Sequence, residues 1–324
     1  MTTAQPLLYV SRLLPDPVMT VIHNQYRLVQ DPVDRQADES AIREGLQEAD
    51  AAIVTLNDRI SAAMIQTASK LKVLANYAVG YNNIDLDAAF QRGLIVTNTP
   101  DVLTDATADL TWALLLATAR RVVEGDVLTR SGRWIGWSPT QLLGMDVTGK
   151  TLGIIGMGRI GQAVAQRAAG FRMKVIYEAR RPVVPPSEVF CWERRALSEL
   201  LDESDFVTIH IPLTPDTQHL IGARELHRMR RTAILINTAR GPIVDETALT
   251  VALQNGTIAG AGLDVYEQEP ALHPALVSLP NVSLLPHLGS ATLMTRVKMG
   301  RICLENIAAV LEGRPALNRV HGII

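Results

Sequence analysis

The sequence has little cysteine, almost no net charge and no long apolar run, and each shortage excludes a class of protein. Its two cysteines, Cys191 and Cys303, stand far apart in unrelated contexts, which argues against a metal site or a disulfide framework and favours a reducing cytosol. The 31 basic and 33 acidic residues leave a formal charge of −2, so the composition gives no general attraction to nucleic acid or to an anionic membrane.

Membrane and export signals are also missing. The longest apolar stretch, LTWALLLATA, ends at Arg120 and Arg121. It is shorter than the roughly 20 residues of a membrane-spanning helix and therefore predicts a buried one. The N-terminal stretch MTTAQPLLYVSRLLPDP has no basic region and reaches Pro15 early, so we expect no signal peptide and a cytoplasmic protein.

Short apolar runs that alternate with helix-like stretches are abundant. With 324 residues, of which 47% are hydrophobic, the chain is long for one core and predicts two domains. The alternation runs from Pro6 to Asn98 and begins again at Thr151, and strands separated by helices indicate parallel sheets of the α/β class. Between the two units, residues 101–132 predict one long helical run. The predicted strands are LLYVSR, AAIVTL, LKVLANYAV and GLIVTNTP in the first unit, then TLGIIG, MKVIYE, FVTIHI, AILINT, AGAGLDV and SLLP.

A glycine cluster opens the second unit. Gly156, Gly158 and Gly161 form G-x-G-x-x-G between the strand TLGIIG and the helix RIGQAVAQRAAG, and a second strand ends at Glu178. The first glycine permits a tight turn, the second lets the backbone approach a pyrophosphate, and the third lets helix and strand pack closely. This context predicts a dinucleotide site at the helix N-terminus, with a merely close-packed strand–helix turn as the alternative.

The residues after the second strand bear on the choice of cofactor. An acid at the position of Glu178 usually binds the adenine ribose hydroxyls of NADH, whereas arginines nearby accommodate the 2′-phosphate of NADPH. Arg180 and Arg181 offer two guanidinium groups for that phosphate. We therefore predict NADP(H) with residual use of NAD(H). The alternative is a solvated arginine pair that touches nothing.

Three charged residues follow apolar strand runs downstream: Arg240, Glu269 and His287. In open parallel sheets, ligands bind beyond the carboxyl ends of the strands. A carboxylate beside a histidine sets its tautomer and favours the imidazolium, which makes a general acid/base pair. An arginine can grip an α-keto carboxylate with two donors. Singly, a loop histidine or a surface arginine would be ordinary; together they indicate a catalytic site.

These motifs resemble the D-isomer-specific 2-hydroxyacid dehydrogenases. GKTLGIIGMGRIGQAVA, INTARGPIVDETAL, GAGLDVYEQEP and PHLGSAT carry the resemblance, and VGYNNID, NTPDVLTDATAD and RRVVEGDVLTRSGRW extend it upstream. The chain is most similar to the glyoxylate/hydroxypyruvate reductase branch, which overlaps with 2-ketogluconate reductases. The resemblance implies hydride transfer that converts glyoxylate to glycolate and hydroxypyruvate to D-glycerate. One departure is Asn82, where many relatives have Asp, which neutralises a charge near the substrate loop.

The resemblance also implies roles. His287 would donate a proton to the keto oxygen, Glu269 would pair with it, and Arg240 would hold the substrate carboxylate together with the backbone amides of Val79 and Gly80. Asp264 would lie near the nicotinamide or support the arginine. The other positions implied to line the cofactor are Thr107, Arg159, Ile160, Pro212, Thr217, Thr238 and Gly289.

The architecture that the resemblance implies is a Rossmann nucleotide-binding domain over residues 101–287 and a flavodoxin-like substrate domain built from residues 1–100 and 288–324, with a cleft between them. Residues 101–146 would form an arm that wraps a second subunit of a homodimer, with Trp134 and Trp137 as anchors or as contacts to the partner's active site. A helix buried within its own chain is the alternative to the arm.

A rival class shares this fold. Corepressors of the C-terminal-binding-protein type use dinucleotide binding to control assembly, but we expect such a scaffold to carry a long tail, whereas this sequence ends at NRVHGII. An enzyme is therefore expected, with 2-ketogluconate as the alternative substrate. Phosphoglycerate dehydrogenase is disfavoured because no extra regulatory domain is present, and nothing suggests formate or phosphonate dehydrogenases.

Overall fold

The computed structural model describes residues 5–320. This part of the chain divides into two compact units. The first consists of the residues up to Leu103 and those from Ser290 onward, and the second is Thr104–Gly289. The extreme ends of the predicted substrate domain, residues 1–4 and 321–324, lie outside the described residues.

The first unit contains a five-stranded parallel sheet in the order β2-β1-β3-β4-β5. Its strands are β1 (Leu7–Val10), β2 (Arg27–Leu28), β3 (Ala51–Val54), β4 (Val73–Asn76) and β5 (Ile95–Thr97). The helices between them are α1 (Asp16–Gln25), α2 (Glu39–Glu48), α3 (Ala62–Thr67) and α4 (Leu86–Arg92). Asp38, Ser61 and Asp85 cap the last three helices by accepting backbone N–H bonds, and Gly93 ends α4 at φ +75°.

The second unit contains a seven-stranded parallel sheet in the order β12-β11-β10-β9-β6-β7-β8. Its strands are β6 (Thr151–Ile155), β7 (Lys174–Glu178), β8 (Trp192–Arg194), β9 (Phe206–Ile209), β10 (Ile234–Asn237), β11 (Gly260–Leu263) and β12 (Val282–Leu284). Its helices are α5 (Thr104–Ala119), α6 (Val122–Arg130), α7 (Arg159–Ala168), α8 (Leu197–Glu203), α9 (Ala223–Arg228), α10 (Glu246–Gln254) and α11 (Pro274–Ser278). The sequence predicted six of these strands and missed β8.

A last helix, α12 (Leu293–Leu311), returns to the first unit. It packs with α1 on one face of the first sheet, where Val18 meets Val297, Cys303 and Ile307 in one buried cluster. The approach is close, because a Cβ at Gly300 would lie 2.6 Å from the Val18 methyl carbons. A separate buried cluster covers the opposite face, so the sheet is doubly wound, as expected for the flavodoxin-like domain that the resemblance implies.

The predicted single helix over residues 101–132 is wrong, because the chain turns between α5 and α6. Arg121 adopts φ +53°, a left-handed conformation that an α-helix cannot contain. The apolar segment itself is a buried helix, as predicted: Trp112 of α5 stacks on Phe171 with ring centroids 4.7 Å apart and donates its indole N–H to the Val164 carbonyl. By contrast, α6 buries none of its residues. Between residues 5 and 320, no helix combines the length and apolar character that crossing a membrane requires.

Candidate active site

The glycine loop joins β6 to α7 at the point where the strand order of the second sheet reverses. Gly156 has φ +98°, and a Cβ there would lie 2.5 Å from the His210 carbonyl oxygen at the end of β9. A Cβ on Gly161 would collide with the Gly156 carbonyl oxygen. Both positions therefore require glycine, one for the turn and one for the close approach of helix and strand. In doubly wound sheets, ligands bind beside such a reversal.

Gly158 differs from the other two glycines because a Cβ there would meet no atom within 4 Å. It is the N-cap of α7, a helix of ten residues, and no side chain caps this end. The first-turn amides of α7 therefore have no side-chain cap, and the backbone at Gly158 can be approached closely. These residues fit the pyrophosphate of a dinucleotide, which needs backbone N–H donors and close access.

The loop after β7 carries the residues that would meet the adenosine end of such a cofactor. The Glu178 carbonyl accepts from the Gly156 amide at 2.9 Å, and the Glu178 side chain is half-buried. Arg180 and Arg181 are exposed. The guanidinium of Arg194, on β8, donates to the Ala179 carbonyl at 2.7 and 3.0 Å. Strand β8, which the sequence did not predict, therefore shapes the loop that bears both arginines.

His287 and Glu269 are hydrogen-bonded through Nδ1 and Oε2 at 2.8 Å. Both side chains are mostly buried, and the Tyr266 amide donates to the other Glu269 oxygen at 3.1 Å. Burial alone would raise the pKa of Glu269, but the hydrogen bond and charge of His287 outweigh it and hold this pKa below its usual value. An ionised carboxylate on Nδ1 orients the ring so that Nε2 carries the exchangeable proton.

Arg240 lies in the loop after β10. Burial lowers the pKa of its guanidinium, and the charge of Glu269 opposes that effect, so the group stays a cation. The Asn237 amide group donates to the Arg240 carbonyl at 2.9 Å, and its oxygen accepts from the Ala239 amide at 3.0 Å. Asn237 was not among the predicted site residues, although a polar residue ending a buried strand is a signal for such a turn.

The loops that carry Arg240 and Glu269 touch backbone to backbone. A Cβ on Gly241 would overlap the carbonyl carbon and oxygen of Tyr266, so no other residue fits position 241 without moving one loop. This contact brings the arginine and the carboxylate segments together at the carboxyl edge of the sheet.

Asp264 supports the histidine loop. It is fully buried, and its two carboxylate oxygens accept from the amides of Leu288 at 2.6 Å and Gly289 at 2.8 Å. Burial raises the pKa of Asp264, while these two amides favour its charged form. The Asp264 carbonyl also accepts from the His287 amide at 3.0 Å. Asp264 was predicted near the nicotinamide or in support of the arginine. The bonds described here are to the segment of His287, and the place near the nicotinamide stays a prediction.

The remaining predicted cofactor positions lie at the start of α7, in α5, or on loops at the carboxyl edge of the second sheet. Arg159 and Ile160 are the first two residues of α7. The hydrogen-bonded pairs are Thr107 with the Gly289 carbonyl at 3.0 Å, Thr217 with the Pro212 carbonyl at 2.8 Å, and Thr238 with Thr111 at 2.9 Å.

Val79 and Gly80 belong to the first unit and follow β4, where both are half-buried. Within residues 5–320, no group of three or more His, Cys, Asp or Glu has an arrangement that could hold a metal ion.

Comparisons with known proteins agree with these features. The family model for the D-isomer specific 2-hydroxyacid dehydrogenase NAD binding domain matches residues 112–289. Glyoxylate reductase of Thermococcus gammatolerans is 47% identical over 313 residues, covering 95% of this chain and 94% of that protein.

Two solved structures are similar over nearly the whole chain. The NADPH-dependent glyoxylate/hydroxypyruvate reductase of Sinorhizobium meliloti, in complex with NADP and malonate, has a TM-score of 0.85 at 34% identity and covers 98% of this chain and 97% of its own. The glyoxylate reductase of Paecilomyes thermophila has a TM-score of 0.84 at 31% identity, covering 98% and 99%.

Proposed function

We propose that the protein reduces glyoxylate to glycolate and hydroxypyruvate to D-glycerate, because the chain belongs to the D-isomer-specific 2-hydroxyacid dehydrogenase family. It is an NAD(P)-dependent oxidoreductase. The observation that carries the proposal is the 2.8 Å pair of His287 and Glu269 beside the Arg240 loop, in the same unit as a glycine loop that fits a dinucleotide. The activity in the name of the Thermococcus relative supports the choice of glyoxylate.

In the proposed reaction, the glycine loop would hold a nicotinamide dinucleotide, which would supply the hydride for the keto carbon. His287 donates its Nε2 proton to the keto oxygen, so one hydride and one proton convert the ketone to an alcohol. Glu269 keeps the imidazole oriented and charged before the transfer. We assign the substrate carboxylate to the Arg240 guanidinium and to the backbone amides of Val79 and Gly80.

Replacing Glu269 by glutamine is expected to shift the pH profile of reduction to lower pH. In spite of its burial, Glu269 has a lowered pKa through its bond with His287, so it is ionised at neutral pH and favours the protonated imidazole. Without that charge, the alkaline limb of kcat against pH should move toward acid.

A matched control exists in the same segment. Glu267 also binds a histidine, His219, at 2.6 Å. Glu267→Gln should leave the profile of the reaction in place. An unchanged profile in Glu269→Gln would contradict the proposed pairing.

We further propose that the enzyme prefers NADPH and retains some use of NADH. Arg180 and Arg181 are exposed on a loop that Arg194 holds, and two guanidinium groups there can bind a dianionic phosphate. The Glu178 side chain opposes this preference, because an acid at this position binds the ribose hydroxyls of NADH. The NADP bound by the Sinorhizobium neighbour supports the preference.

One substrate panel tests both the activity and the cofactor preference. It compares kcat/KM for glyoxylate, hydroxypyruvate and 2-ketogluconate, each with NADPH and with NADH. Arg180→Ala/Arg181→Ala is expected to lower the NADPH/NADH ratio at least about tenfold, since charge-assisted bonds to the phosphate are lost. A wild-type ratio well below one that the double substitution leaves unmoved would assign the preference to Glu178.

A homodimer is proposed as the working form, with α6 and the segment up to Met145 as the contact between copies. The first part of the predicted arm over residues 101–146, α5, is instead buried in the core of its own unit. The proposed contact surface is rich in exposed apolar side chains, which a soluble monomer seldom groups together. They are Val122, Val123, Val127, Ile135, Trp137 and Leu143. Trp134, half exposed, lies among them. A monomer in sedimentation at micromolar concentration would contradict this assignment.

A further inference from the structure

Three consecutive peptide groups after β4 are each held by their carbonyl oxygen. The carbonyls of residues 78–80 each accept a hydrogen bond from a different donor, and all three donors are part of the first unit. The donors are the Thr99 amide to Ala78 at 2.9 Å, the Asn98 side chain to Val79 at 2.8 Å, and the Asn76 side chain to Gly80 at 2.7 Å.

Holding a carbonyl also orients the following N–H. In a trans peptide the C=O and N–H bonds point in opposite directions, and the cis bond found among residues 5–320 lies elsewhere, before Pro270. The amides of Val79, Gly80 and Tyr81 therefore face away from the groups that hold their carbonyls. Within that same range, none of these three amides donates to a protein acceptor.

These amides are not on an open surface. Residues 79–81 are half-buried, and an N–H group that is withdrawn from water without an acceptor is costly. Successive N–H groups of this kind form a concave site for an anion, and a carboxylate has enough lone pairs to accept from three donors.

The two asparagines are themselves held in place. Asn76 is fully buried and exchanges side-chain hydrogen bonds with Asn83 at 3.3 Å, and Asn83 donates to the Thr55 and Asp58 carbonyls at 3.1 Å. The backbone of Asn98 donates to the Asn318 carbonyl at 3.2 Å. The Asn76 amide group therefore cannot turn away from the loop without breaking its bonds with Asn83, and Asn98 is anchored through its backbone.

We propose that Asn76 and Asn98 are positioning residues that orient a three-amide carboxylate site, in which the Tyr81 amide is the third donor beside those of Val79 and Gly80. The proposal rests on the proposed function only for the identity of the anion as the substrate carboxylate. The asparagines touch the loop and not the substrate, so their effect passes through the backbone.

The test replaces Asn98 by alanine and, at nearly unchanged volume, by aspartate. Oxalate binding to the NADP-loaded protein is measured by calorimetry, and kcat and KM are measured for glyoxylate and for acetaldehyde, which lacks a carboxylate. Since hydrogen bonds to a charged group are lost, both variants should weaken oxalate binding and raise the KM for glyoxylate about tenfold to a hundredfold. The slow reaction with acetaldehyde should change less than about threefold, and NADPH affinity should stay as in the wild type.

Asn281→Ala is the matched control, because its side-chain amide also donates to two backbone carbonyls, those of Leu253 and Ala259, but in the second unit. It should leave oxalate binding unchanged. Asn76→Asp should repeat the effect of Asn98→Asp through the Gly80 carbonyl.

Two outcomes would overturn the proposal: oxalate affinity like the wild type in folded Asn98 variants, or equal losses on glyoxylate and acetaldehyde, which would indicate general damage. Because oxalate binding needs no turnover, the test distinguishes failure of the carboxylate site from failure of the proposed activity. A wild type that binds oxalate through Asn98 but reduces no 2-keto acid refutes the proposed activity alone. A wild type that reduces glyoxylate with no dependence on Asn98 refutes the positioning role alone. A wild type that neither binds oxalate nor reduces glyoxylate refutes both.

Discussion

Replacing His287 by alanine is expected to lower kcat for glyoxylate reduction about 10²–10⁴-fold, the usual effect of losing a general acid. The imidazole is the group that Glu269 orients at 2.8 Å, and alanine leaves the keto oxygen without a proton donor. The glycine loop and α7 are untouched, so NADPH should bind with near wild-type affinity. Steady-state kinetics and a fluorescence titration with NADPH measure the two quantities.

His227→Ala is the control for that substitution. His227 bonds the Ala223 carbonyl within helix α9 and is exposed, so its loss should alter neither kcat nor cofactor binding. If the His287→Ala protein kept wild-type kcat, another group would have to deliver the proton.

Replacing Arg240 by lysine is expected to lower kcat/KM for glyoxylate about a hundredfold, although the charge is kept. A lysine offers one compact ammonium where the guanidinium offers a planar fork, and each lost bond to a carboxylate weakens binding about tenfold or more. The Asn237 contacts are to backbone atoms of the loop and remain, so the effect should come from the side chain itself.

Arg231→Lys serves as the comparison, since Arg231 is an exposed arginine whose Nε donates to the Gly256 carbonyl at 3.2 Å. It should keep wild-type efficiency. The wild type should also reduce acetaldehyde poorly, because that aldehyde lacks the carboxylate that Arg240 would hold. Comparable kcat/KM for acetaldehyde and glyoxylate would refute the assignment of Arg240.

The sheets could be predicted from the sequence because their strands are buried on both faces and read as continuous apolar runs. Strand β8 was not predicted, because Trp192–Arg194 is short and two of its three residues are charged. The break between α5 and α6 escaped for a different reason. Arg121 adopts a left-handed conformation that an arginine does not predict, since glycine or asparagine usually occupies such positions.

The glycine loop of the site could be predicted from the sequence, whereas the contacts between distant loops could not. Glycines 156, 158 and 161 could be recognised from their spacing, since Gly156 and Gly161 meet backbone requirements and Gly158 leaves the start of α7 uncrowded. The contacts of Asn98 with Val79 and of Asp264 with Gly289 join residues 19 and 25 positions apart. No local pattern encodes such contacts, since they depend on which strand ends lie side by side. A polar residue at the end of an apolar strand is the one hint that the sequence offers.

The return of α12 to the first unit has a consequence for synthesis on the ribosome. The apolar side of β1, β3 and β4 and the Val18 side of α1 emerge early, but the helix that covers them is made only after the entire second unit. At ordinary translation rates this delay lasts about 10–40 seconds, during which the nascent N-terminal segment presents an uncovered hydrophobic face. The second unit, being continuous in sequence, can fold in that interval, so the N-terminal segment is the part of the nascent chain with most need of a chaperone.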